Sequence, residues 1–161
     1  MKKIKILLSD STSHIENEEY FPLRVMFEPK TDDIRHAGFY YGDEDLLELA
    51  SAGDSDVLKL MQLTICHHYS ILESGYDYNS IDISDENLSL ELPDHTECDT
   101  FMVSIYDNCI VIKLSSEEPT KFCKSGQLLF GIIDSGCIES IIVTEMTAEN
   151  IEHTLNELSL Q

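Results

Sequence analysis

Cys66-His67-His68 sets a thiol and two imidazoles side by side, and adjacency is the wrong spacing for metal binding or for nucleophilic catalysis. On a helix, three successive side chains point in different directions and cannot grip one ion. The chain has no Cys-x-x-Cys and no two histidines four residues apart. No metal site is therefore expected; Cys66 reads as a packed thiol, with His67 or His68 at the surface. Covalent catalysis finds no better footing. Ser9-Asp10-Ser11 and Leu114-Ser115-Ser116 lack the Gly-x-Ser-x-Gly elbow that exposes a nucleophilic serine. Gly53, Gly126 and Gly136 are isolated, so no glycine-rich loop cradles a phosphate. Asp54-Ser55-Asp56 begins like a calcium loop but continues Val57-Leu58 where oxygen ligands and a glycine are required. With 31 Asp and Glu, some carboxylates must lie close together, so such a pair identifies no general acid or base. The expectation is a protein without enzymatic activity, metal or cofactor.

Charge points to binding instead. The formal net charge is −21, and six of the ten basic residues fall in the first 35 positions. From His36 to Gln161, 24 acidic residues stand against four basic ones. Between Leu60 and Ile112 there are ten Asp and Glu and neither Lys nor Arg. Self-repulsion at that density destabilises a compact chain, and solubility alone needs far less charge. The field suits a cationic protein partner and repels nucleic acid and phosphorylated substrates.

Two segments set aromatic rings among these carboxylates. Phe39-Tyr40-Tyr41-Gly42-Asp43-Glu44-Asp45 is the first, and Glu73-Ser74-Gly75-Tyr76-Asp77-Tyr78 the second. Tyrosine is enriched among interface hot spots, and carboxylates around it draw in a Lys/Arg-rich partner. The candidate partner-binding residues are accordingly Tyr76, Asp77, Tyr78, Asp82, Asp85 and Glu86, with Asp43, Glu44 and Asp45. A plainer alternative places Phe39 and Tyr41 in the core, starts a helix with Asp43 to Asp45, and leaves Tyr76 to Tyr78 in a solvated turn.

The elements that must carry these residues read as an α+β domain spanning 1–161, with a mainly antiparallel sheet built from hairpins. Ile4, Ile6 and Leu8, then Leu23, Val25 and Phe27, alternate with polar or longer residues as strands do. Asp10 to Tyr20 reads as a polar loop between them, and His36 to Tyr41 as a third strand. Asp43-Glu44-Asp45 ahead of Leu46, Leu47, Leu49 and Ala50 predicts a short helix with carboxylates on its first turn. Val57, Leu58, Met61, Ile65 and Tyr69 predict a second, although Leu63-Thr64-Ile65 also suits a strand. These two form the helical segment in the middle of the predicted fold. Short alternations follow at Ile81 and Ile83 and at Leu88, Leu90 and Leu92. Phe101, Val103 and Ile105 oppose Ile110, Ile112 and Leu114 across Asp107-Asn108, a two-residue hairpin signal. A second hairpin joins Gln127–Ile133 to Cys137–Thr144 through Asp134-Ser135-Gly136. Thr147 caps a C-terminal helix striped by Ala148, Ile151, Leu155 and Leu158.

The compartment expected is a reducing cytoplasm. After Lys2, Lys3 and Lys5 the apolar run is only Ile6-Leu7-Leu8 before Ser9, short of the roughly 7–15 residues of an export signal. No stretch approaches the ~20 apolar residues of a membrane span. Five cysteines, Cys66, Cys98, Cys109, Cys123 and Cys137, form no tight pairing pattern and read as free thiols, four of them beside apolar residues. Small, acidic, reduced in its cysteines and without a catalytic signature, the chain resembles the immunity proteins of bacterial polymorphic toxins, including contact-dependent growth inhibition systems. The resemblance lies in overall habit across the whole chain. It implies a cytoplasmic antitoxin that binds a cognate toxin domain, often a basic nuclease, and blocks its active site or access to its substrate. Two other classes remain: a nucleic-acid mimic that inhibits a DNA-binding protein through the same acidic field, and an enzyme of unfamiliar family with a deep pocket lined by His and Cys.

Overall fold

A computed structural model describes residues 2–161. The strands in chain order are β1 (Lys3–Leu8), β2 (Ser13–Ile15), β3 (Leu23–Phe27), β4 (Ile34–Tyr41), β5 (Asp45–Ala52), β6 (Leu58–Ile65) and β7 (Tyr69–Ile71). After a short 3-10 turn at Tyr78–Ser80 come β8 (Ile83–Ser84), β9 (Leu88–Pro93), β10 (His95–Glu97), β11 (Met102–Ile105) and β12 (Ile110–Lys113). Finally β13 (Lys121–Ser125), β14 (Leu128–Ile132) and β15 (Ile138–Val143) lead to helix α1 (Ala148–Ser159).

These strands make a two-stranded ribbon, β1-β9, a six-stranded sheet, β10-β4-β5-β6-β3-β2, and a seven-stranded sheet, β7-β11-β12-β15-β14-β13-β8. Pairing is antiparallel except where β10, β7 and β8 join their neighbours. The ribbon lies between the two larger sheets, with β1 against β4, β5 and β6 on one side and β13 on the other. One core cluster draws on every sheet, from Ile4 and Leu92 of the ribbon through Phe27 and Leu49 to Phe130 and Ile141. Helix α1 adds Ile151 and Leu158 to it.

Both predicted hairpins form. Ile105 pairs with Ile110 and the Tyr106 amide donates to the Cys109 carbonyl, which leaves Asp107-Asn108 as the two-residue loop. β14 and β15 pair across Asp134-Ser135-Gly136. Thr147 caps α1 as expected, accepting from the Asn150 amide while the Asn150 side chain accepts from the Thr147 amide. Ala148, assigned to the inward stripe, is exposed, and Thr154 is buried instead.

The helical segment in the middle is a correction. Residues 45–52 and 58–65 are β5 and β6, paired antiparallel at the centre of the six-stranded sheet. Asp45, Leu47 and Leu49 point one way, but Ala50, Ser51 and Ala52 are also buried, as are all residues from Leu58 to Leu63. A strand covered on both faces has no polar side, so its apolar residues recur at helix-like as well as strand-like spacings. The loop from Asp10 to Tyr20 likewise contains β2, an edge strand of three residues.

The larger sheets meet at the β13–β14 turn. Gly126 has a φ of +56° there, and a Cβ on it would lie 2.5 Å from Ser13 Oγ and 2.8 Å from Phe27 Cε1. Ser13 Oγ receives the Gln127 amide at 2.9 Å, so the turn and β2 are joined where they touch. Gly126→Ala combines a left-handed backbone with a clash, and is expected to cost about 2 kcal/mol. Urea denaturation reads this as a lower midpoint at unchanged slope.

Candidate functional site

Pairing of β5 with β6 builds the first cluster. Leu46 stands opposite Ile65, so Asp45 at the head of β5 faces the chain leaving β6. Its carboxylate is buried, and Oδ1 accepts from the His67 and His68 amides at 2.8 and 3.2 Å. Oδ2 lies 2.5 Å from His68 Nδ1. A carboxylate only accepts, so Nδ1 carries the proton and His68 Nε2 turns toward Glu44 Oε2 at 3.5 Å. The Tyr41 ring meets the His68 ring edge-on with centroids 5.3 Å apart. The ligating atoms of Glu44, Asp45 and His68 all lie within 4.8 Å of one another.

This cluster was not visible along the sequence, since Asp45 and His68 stand 23 residues apart. It positions a histidine through a buried carboxylate, the device that orients both general bases and metal-ligating imidazoles. Asp45, however, divides its oxygens: Oδ1 holds the 67–68 backbone and Oδ2 holds the His68 ring. Cys66 is not a nucleophile for His68. Its thiol donates to the His68 carbonyl oxygen at 3.7 Å rather than to the ring, and burial together with the Asp45 charge pushes it up to about 12. Asp45 therefore leaves the group of exposed partner contacts in which the sequence placed it. Asp43 and Glu44 remain exposed beside it.

The second cluster is the segment from Ser74 to Glu86, on the outer face of the seven-stranded sheet. Neither reading of Tyr76 and Tyr78 describes it fully. Both rings are half-buried against a small outer cluster of Cys109, Leu129 and Ile142. Tyr76 packs on Tyr106 at 5.1 Å between centroids, and burial raises its hydroxyl above the usual range, with Tyr106, Cys109 and Glu139 adding to the shift. Asn108 clamps Tyr76 from both sides: its Oδ1 accepts from the Tyr76 amide and its Nδ2 donates to the Tyr76 carbonyl, each at 3.0 Å. The Tyr78 hydroxyl accepts from the Glu145 amide. The tyrosines thus fasten the segment to the sheet, and Asp77, Asp82, Asp85 and Glu86 stand exposed along it.

In the first aromatic segment, Phe39 is a core residue, Tyr40 stacks on His95 at 4.2 Å, and Tyr41 is 36% exposed. The plainer alternative is right for Phe39 and wrong for Tyr41.

Few of these carboxylates are neutralised. Of the ten between Leu60 and Ile112, only Glu86 has a Lys or Arg within 4.0 Å among the described residues, namely Lys121 at 3.1 Å. The paired cations sit mainly elsewhere: Arg24 and Lys30 around Glu16, Arg35 on Asp56, Lys113 on Glu139.

The thiols divide sharply. Cys66, Cys109 and Cys123 are buried and Cys98 is half-buried. Burial pushes Cys98 and Cys109 up to about 11, each helped by neighbouring aspartates, and raises Cys123 as well. Cys137, expected beside apolar neighbours, is exposed at the end of the Asp134-Ser135-Gly136 turn. At pH 8 a disulfide-exchange reagent is expected to label Cys137 alone in the native protein and all five thiols after unfolding. A second thiol reacting at the native rate of Cys137 contradicts this.

No protein-family model matches the chain, and no curated protein matches it significantly. No helix among the described residues is long and apolar enough to cross a membrane.

Proposed function

We propose that this chain is an acidic, immunity-type inhibitor acting in the cytoplasm. It binds a cationic protein, a cognate toxin nuclease domain, and covers that protein's active site or substrate groove with one molecule. The observation that carries this reading is the row of exposed carboxylates without cationic partners, Asp77, Asp82 and Asp85, on a segment fastened by Tyr76, Tyr78 and Asn108. A fold gains nothing from leaving like charges unpaired along one surface, because they repel each other and contribute no packing. A basic groove built for phosphate gains from meeting them: steering accelerates encounter, and a segment already held in place loses little entropy on binding.

The partner to test is a basic toxin nuclease domain whose gene adjoins the one for this chain, if the genome places one there. Cells making that domain are expected to survive when this chain is co-expressed. The purified pair is expected to form a 1:1 complex that high salt or denaturant dissolves, and mass spectrometry is expected to return the partner chemically unaltered. Cleavage or a covalent change in the partner overturns the reading, and so does equal inhibition of unrelated DNA-binding proteins, which marks a nucleic-acid mimic.

A further inference from the structure

The three sheets leave a cleft of about 340 Å³ where they meet. Its walls come from Phe39 of β4, Leu92 at the end of β9, Leu114 after β12, and Ile133 and Ile138 from the β14–β15 hairpin. Phe39, Leu92, Leu114 and Ile138 are core residues only 2–3% exposed, so the cleft opens directly onto the core. Glu97, Asp99 and Glu117 also line it, and all three are exposed. Asp99 is steadied by Ser116, whose amide and hydroxyl donate to its two oxygens at 3.3 and 2.9 Å, while Glu97 faces His95 at 3.0 Å. No Lys or Arg lines this cleft, whereas four other clefts on the protein each place a lysine in their walls. An apolar floor under three carboxylates fits a side chain with an apolar stem and a cationic head.

We infer that this cleft receives an arginine side chain of the cationic partner. The inference rests on the function proposed above and names a contact within it. Lysine fits the charge, but a guanidinium is planar, presents five donors and can meet two carboxylates at once. Its methylene stem lies against apolar walls while the head stays at the mouth. Arginine is also among the residues that dominate binding energy when seated in a desolvated pocket.

The free protein tests this with side-chain-sized probes. Backbone NMR is followed while butylguanidinium is added to about 50 mM, since ligands this small bind weakly, and butylurea serves as the neutral probe of matching shape. Shifts are expected to concentrate on the amides of Thr96, Cys98, Glu117 and Cys137, at least fivefold larger with butylguanidinium than with butylurea. Glu97→Gln, Asp99→Asn and Glu117→Gln together are expected to reduce them to the butylurea level. Ser135→Trp, which fills the mouth and keeps the acids, is expected to do the same. Equal shifts from butylurea mean an apolar occupant and overturn the inference. Shifts that follow Asp77 to Glu86 instead mean diffuse counterion binding and overturn it too. In the complex, the triple variant is expected to weaken the partner at least tenfold. A partner that binds the variant unchanged removes this inference and leaves the proposed function standing. A cleft that takes butylguanidinium in a protein that protects against no toxin does the reverse.

Discussion

Asp45→Ala is expected to lower stability by about 3 kcal/mol, the largest loss from any single side chain outside the apolar core. The buried carboxylate accepts from the His67 and His68 amides and the His68 ring. Removing it strands two backbone donors beside a buried site, where each unsatisfied polar group costs about 1–3 kcal/mol, and releases the His68 ring, which at 37% exposed can turn to water. Asp45→Asn is the informative companion. Its carbonyl oxygen still receives the two amides, and the imidazole can shift its proton to Nε2 and accept from the new amide group, so the loss is expected near 1 kcal/mol. Chemical denaturation at equal slope measures both. If Asp45→Ala keeps its stability and loses only partner binding, the Glu44–Asp45–His68 cluster is a functional site rather than a brace.

How much of this was legible in the residues depends on distance along the chain. Asp107-Asn108 and Asp134-Ser135-Gly136 announced their hairpins, and Thr147 announced the helix start, because turns and caps are written in neighbouring residues. β5 and β6 were not legible, since a strand buried on both faces has lost the polar alternation that identifies it. The Asp45 cluster depends on the register that sets Leu46 against Ile65, which no local pattern specifies. One signal was present: Asp45 lies in phase with Leu47 and Leu49, and a carboxylate in step with buried leucines must itself be buried and satisfied. For the acidic segment, composition identified the exposed charge correctly, but not that Tyr76 and Tyr78 face the sheet. Those rings turn inward because Cys109, Leu129 and Ile142 leave an apolar patch on the outer face that needs cover.

That inward turn sharpens what neutralising the segment does. Asp77→Asn, Asp82→Asn, Asp85→Asn and Glu86→Gln together remove four exposed negative charges and touch none of the groups that fasten the segment. Stability is expected to hold or rise slightly: like-charge repulsion is relieved, and the one ion pair lost, Glu86 with Lys121, is exposed and contributes little. Association with the cationic partner is expected to slow at least tenfold at low salt. The gap should close toward 0.5 M, because screening shortens the reach of exposed charge to about 8 Å already at physiological ionic strength. Dissociation should change less than association if these carboxylates rim the contact. A matched control separates position from net charge: Asp32→Asn, Asp54→Asn, Glu149→Gln and Glu152→Gln also remove four exposed charges, from other parts of the molecule. If the control slows association equally, steering comes from the whole field and the segment has no special place in it. If neither variant slows it, the contact lies elsewhere, and Asp43 and Glu44 beside the half-exposed Tyr41 are the next surface to neutralise.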